Sequence, residues 1–92
     1  MHLEIVSPEA TLFSGEVDSV IVPGTSGSFQ MLNNHAPIVS SLKEGTVIIS
    51  GKIQLDDTVQ NKFNRKDDNT TLFEISSGTI EMRNNKLILL AD

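Results

Sequence analysis

The sequence predicts a small all-β domain, an antiparallel β-sandwich or flattened barrel. Short runs of β-branched and apolar residues recur along the chain. Gly, Pro, Asn and Ser clusters punctuate them, and no window of useful length carries the helical period.

The elements follow in order. His2 to Val6 alternates polar and apolar residues, the period-2 mark of a half-buried strand, and Ser7-Pro8 stops it. Thr11 to Ser14 is a second short run, closed by Gly15. Glu16 to Val22 is a third, ended by Pro23-Gly24. Gly24 to Ser28 reads as a loop, and Ser28 to Leu32 as a strand with Phe29 and Met31 on one face. A loop over Asn33 to Pro37 leads into a strand over Ile38 to Leu42, and Lys43 to Gly45 turns the chain.

Two hairpins are predicted further on. One joins Thr46–Ile49 to Lys52–Leu55 across Ser50-Gly51, setting Ile48 opposite Ile53. The other joins Ile80–Arg83 to Lys86–Leu90 across Asn84-Asn85, setting Met82 opposite Leu87 and Ile80 opposite Leu89. Asn tolerates the positive φ that a type I′ turn needs. Between them, Gln60 to Asn69 is polar and reads as an exposed hairpin loop. Thr71 to Ser76 returns to strand and breaks at Ser77-Gly78.

Composition narrows the function. The 92 residues suffice for one domain with one core. The absence of cysteine excludes disulfides, thiolate metal sites and a cysteine nucleophile, and favours a reducing compartment. A net charge of -5 opposes nucleic-acid binding, which needs a basic surface. Four Phe with no Trp or Tyr leave few stacking platforms for bases or sugars. Met1 to Ile5 lacks the basic-then-apolar pattern of a targeting segment. No apolar run approaches the ~20 residues of a spanning helix, so any membrane association is expected to run through a partner.

Reactive chemistry is poorly supplied. His35 is the one candidate general base, but no nucleophile-elbow motif marks a serine. A histidine in such a loop equally packs, hydrogen-bonds locally or contacts a partner. Asp56-Asp57 and Asp67-Asp68-Asn69 are local oxygen clusters, yet an EF-hand counted from Asp67 needs glycine where Leu72 stands. His2 and His35 lack ligand spacing, so the clusters read as solvated turns. Gly45 to Lys52 is one residue too long for a P-loop and is followed by Ile53 rather than Ser or Thr. Asn69-Thr70-Thr71 fits a glycosylation acceptor, which matters only in a secreted protein. No catalytic residue, cofactor or metal is expected. What remains is surface: Leu32, Ala36, Pro37 and Ile38 gather around His35 as an apolar tip, unless Leu32 and Ile38 turn inward.

The order of the motifs then carries a resemblance. Leu12-Phe13-Ser14-Gly15-Glu16-Val17, then Pro23-Gly24-Thr25-Ser26-Gly27-Ser28-Phe29, then Asn34-His35-Ala36-Pro37-Ile38 resembles the epsilon subunit of rotary F-type ATP synthase. Leu3 to Pro8 is similar to that family's first strand. Ser77 to Glu81 and Leu87 to Asp92 are similar to its last hairpin. The resemblance implies a single N-terminal-type β-sandwich over residues 1–92, without the C-terminal helical hairpin of longer members, and hence without the brake or the ATP site built on that hairpin. It implies a non-catalytic central-stalk subunit of a proton- or sodium-translocating synthase, on the cytoplasmic face of a bacterial membrane. Its partners would be the gamma subunit and the c-ring. The ring-facing residues would be Gly27, Ser28, Gln30, Asn33, Asn34, His35, Ala36, Pro37 and Ile38. Two departures stand out: Ser28 replaces an acidic residue common in the family, and Gln30 a frequent glycine. The stretch from Asp56 to Asn69 looks longer than usual. The other reading is a generic β-sandwich module for protein interaction or ligand binding, which would need a pocket of convergent polar groups.

Overall fold

The computed structural model describes residues 1–92 and holds ten strands with one short 3-10 turn. The strands are β1 (His2–Val6), β2 (Thr11–Glu16), β3 (Ser19–Gly24), β4 (Gly27–Leu32), β5 (Ile38–Leu42), β6 (Gly45–Ser50), β7 (Asn64–Asp67), β8 (Thr70–Ile75), β9 (Gly78–Arg83) and β10 (Lys86–Ala91). Their order is β2-β1-β10-β9-β5-β3-β6-β8-β7, with β4 on the other side of β3. A single residue pair, Gly24 with Leu42, joins β5 to β3. The sheet therefore folds at that corner into two halves, β2-β1-β10-β9-β5 and β4-β3-β6-β8-β7. The β1–β10 ladder is parallel; the others are antiparallel.

The alternation read in the sequence sets the core. Leu3, Ile5, Leu87, Leu89, Ile80 and Met82 are buried from one half, and Val20, Val22, Met31, Val47 and Ile49 from the other. Fully burying a side chain of this size stabilises by about 1.5–3 kcal/mol relative to exposing it. The β9–β10 hairpin has the predicted register: Met82 pairs with Leu87 and Ile80 with Leu89. Asn84 and Asn85 take φ of 52° and 60°, as a type I′ turn demands.

Other expectations are corrected. β3 begins at Ser19 and keeps Pro23-Gly24 inside the strand, so the predicted loop from Gly24 is a tight hairpin turning on Thr25-Ser26. The Ser50-Gly51 hairpin does not form. β6 runs between β3 and β8, pairing Ile49 with both Val20 and Thr71. Two flanking strands satisfy both its edges and bury Val47 and Ile49, which a local hairpin could not do. Gly51 bends the chain away at φ 134°, a conformation open to glycine. Lys52 to Leu55 is then irregular, with Ile53 buried in the core.

The predicted exposed loop at Gln60 to Asn69 is also more structured. Gln60–Lys62 forms the 3-10 turn, and Phe63 turns inward and stacks on Phe73 with ring centroids 4.8 Å apart. Asn64–Asp67 is an edge strand whose residues are all exposed. The register left open by the sequence is thus Asn64 with Leu72 and Arg65 with Thr71.

Candidate functional site: the open edge of β4

The candidate residues run from the start of β4, through the loop that follows it, to the first residue of β5. Gly27 and Ser28 begin β4, Gln30 lies at its middle, and Asn33 to Pro37 leave its far end. Six residues of strand separate the two groups by about 17–20 Å. All are exposed except His35 and Ile38, which are half-buried. Leu32 is 53% exposed, so that side of the expected apolar tip faces solvent, whereas Ile38 pairs with Met82 and leans on the core.

The Asn33–Pro37 loop is tied down. Asn33 Oδ1 accepts a hydrogen bond from the Met1 amino group at 2.6 Å. The Asn34 backbone N–H donates to Asn85 Oδ1 at 2.7 Å, with Asn34 itself at φ 62°. The His35 N–H donates to the Leu32 carbonyl at 3.1 Å, and its Nδ1 lies 2.7 Å from the Ala36 carbonyl oxygen. His35 is therefore engaged by its own loop, with no hydroxyl or carboxylate among its hydrogen-bond partners. Asn85, read from the sequence as a turn residue alone, also fixes this loop.

Other chemistry is not assembled. No group of three or more His, Asp or Glu side chains converges. Asp56 Oδ1 accepts from the Thr58 N–H at 2.9 Å and the Thr58 hydroxyl at 2.7 Å, and these two bonds hold its carboxyl below the usual range. Asp67 Oδ1 accepts from the Asn69 N–H at 2.8 Å. Both acidic clusters thus close turns, the role Asx side chains commonly play. A cleft of about 460 Å³ is lined by Met1, Glu16, Val17, Asp18, Asn33, Gly51 and Lys52; it reaches the candidate loop at Asn33 and does not include His35. No helix is long and apolar enough to cross a membrane.

The surface around β4 has a character that the sequence reading passed over. Between Ser19 and Leu42 there is no Asp, Glu, Lys or Arg, although the chain carries 12 acidic and 7 basic residues. This stretch holds β3, β4 and β5, and β4 has a neighbour on one side only. Val39, on β5, is 74% exposed. An uncharged open edge, with Leu32 and Val39 exposed, gives this β-sandwich a surface suited to contact with other chains.

Comparison with known proteins agrees. Residues 1–92 match the family described as ATP synthase, Delta/Epsilon chain, beta-sandwich domain, and the chain belongs to that family. The ATP synthase epsilon chain of Chlorobaculum tepidum is 40% identical over 90 residues, covering 98% of this chain and 86% of the relative. That of Caulobacter vibrioides is 38% identical over 93 residues, covering 100% and 90%. Among solved structures, a chain of the Tetrahymena thermophila mitochondrial ATP synthase central stalk and c-ring superposes with a TM-score of 0.72 at 11% identity. The match covers 99% of this chain and 62% of that one, a likeness of fold.

Proposed function

We infer that this chain is a non-catalytic rotor subunit of an F-type ATP synthase, part of its membrane-associated complex. It docks the gamma subunit to the c-ring on the cytoplasmic face of a bacterial membrane and so supports coupling of proton or sodium flow to ATP synthesis. The observation that carries the reading is the family match along the whole of residues 1–92. The ring-facing surface is the strip of Gly27, Ser28, Gln30 and Asn33 to Ile38, and gamma takes another face.

The physics suits the task. A standard interface covers about 800 Å² per partner. Two such faces would occupy roughly a third of the 5293 Å² surface, leaving the sandwich core intact. Ladders closed by short turns make a stiff body, as a connector under torque requires. Neither gamma docking nor ring contact needs a reactive group, and none is assigned.

The test is reconstitution. Membranes stripped of this subunit should hydrolyse ATP while ion pumping and ATP synthesis fall, and adding the purified chain back should restore coupling. Full coupling in its absence would contradict the reading.

A further inference from the structure

The strands that end the two halves are protected unequally. β7 is Asn64-Arg65-Lys66-Asp67, all exposed and three of them charged, and β2 ends on exposed Glu16. Charges of this kind guard an edge against further pairing. β4 is Gly27-Ser28-Phe29-Gln30-Met31-Leu32, with no charge and with a strand on one side only.

The open backbone groups of β4 are arranged symmetrically. Ser28 stands opposite Pro23, which has no N–H and whose carbonyl accepts from the Lys43 N–H at 2.9 Å. Pro23 and Ser28 are therefore a non-hydrogen-bonded pair. By the two-residue alternation of antiparallel ladders, Ile21 and Gln30 are another. The N–H and C=O groups of Ser28 and Gln30 consequently point away from β3, toward the open side. The next outward carbonyl, on Leu32, is taken by the His35 N–H at 3.1 Å. The open carbonyls thus lie at Ser28 and Gln30, evenly on either side of Phe29. A two-fold axis at Phe29 sets Ser28 of one copy opposite Gln30 of the other. Each outward N–H of these residues then meets an outward C=O.

Side chains and charge agree with that axis. Phe29 is half-buried and leans on the core. The axis brings its ring beside its counterpart, an aromatic cross-strand pair of the kind that stabilises antiparallel ladders. Gly27 falls opposite Met31 and has nothing within 4 Å of where a Cβ would sit, which leaves room for a second backbone. With a net charge of -5 on each, two copies repel overall. They approach at least cost through the run from Ser19 to Leu42, which holds no Asp, Glu, Lys or Arg.

We propose that two copies of this chain form a two-fold dimer by antiparallel pairing of β4 with β4, centred on Phe29. The dimer covers an edge otherwise open to irregular pairing. A ladder this short buries well under the ~800 Å² per partner of a standard interface, so the dimer is weak and forms at high protein concentration. It does not depend on the rotor reading, and its absence leaves that reading standing.

Sedimentation and amide exchange of the full chain in solution test it. Raising the protein from about 20 μM to about 1 mM should turn mainly monomer into mainly dimer and slow the Ser28 and Gln30 amides by about threefold or more. Salt at about 0.5 M screens the repulsion and should tighten the dimer by about twofold or more. Gln30→Pro removes an outward N–H and should weaken it by about tenfold. The chain has no cysteine, so introduced ones report the register. Ser28→Cys mixed with Gln30→Cys should cross-link at least about fivefold faster than either variant with itself, because only the opposed positions come within bridging distance. Both positions are exposed, so this measurement decides the register even where Gln30→Pro disturbs the strand. A chain still monomeric at about 1 mM overturns the proposal. So does a dimer that loosens in salt, that persists unchanged in Gln30→Pro, or whose cysteine variants bridge like with like.

Discussion

Arg65, on the edge strand β7, donates from Nη2 to the carbonyl oxygen of Ile53 at 2.6 Å. The irregular segment that replaces the expected hairpin is thereby fixed to the sheet, with the Ile53 side chain in the core. Its Nη1 lies 3.5 Å from Thr71 Oγ1, a weaker contact. Arg65→Ala should lower stability by about 1–2 kcal/mol, the worth of a charge-assisted bond to a carbonyl left without a partner. Urea denaturation checks the size. Arg65→Lys should recover only part of the loss, because an ammonium cannot span both acceptors as a guanidinium fork does.

Asn85 links the β9–β10 turn to the candidate strip through the Asn34 N–H. Its two roles separate by substitution. Asn85→Gly keeps the positive φ and loses the side-chain acceptor. Exchange of the Asn34 amide should accelerate while overall stability changes by under about 1 kcal/mol. Asn85→Ala loses both and should cost about 1–2 kcal/mol more, since φ near 60° strains any residue with a Cβ. Thermal melts of the pair, with amide exchange, measure the difference.

Gly78 packs where no side chain fits. A Cβ there would stand 2.5 Å from the Leu90 carbonyl oxygen, a backbone atom in the adjoining ladder. Gly78→Ala should destabilise by about 1–3 kcal/mol, the usual cost of overpacking. Chemical denaturation of the variant is the check.

Asp56 titrates below an ordinary carboxylate because the Thr58 N–H and hydroxyl stabilise its charged form. A folded value depressed below the unfolded one contributes stability that is present above the unfolded pKa and is lost as pH falls through the folded pKa. Asp56→Ala should remove that contribution and flatten the acid limb of stability against pH. The carboxyl chemical shift of Asp56, followed by NMR titration, should move at lower pH in the native chain than in the urea-unfolded chain.

What the sequence made legible was whatever is locally encoded. Asn84-Asn85 between two alternating runs fixed a hairpin to the residue, and the period of His2 to Val6 fixed β1. Thr46 to Leu55 misled because Ser50-Gly51 between apolar runs is also a local hairpin signal. The competing partners of β6, Val20 and Thr71, lie 20 or more residues away and leave no local mark. Phe63 sits in a polar stretch, and it stacks on Phe73, which the β7–β8 pairing brings alongside. At the candidate strip, the motif order singled out the residues, whereas the placing of Gly27, Ser28 and Gln30 on a strand with one open edge follows from β4 pairing with β3 alone.

The most direct measurement is affinity purification of the full chain, tagged at its C-terminus, from detergent-solubilised membranes of cells that make it, with mass spectrometry of what is retained. A rotor subunit brings down the gamma and c subunits in fixed ratio with itself. Recovery of the chain alone, from membranes whose synthase is intact, contradicts the account.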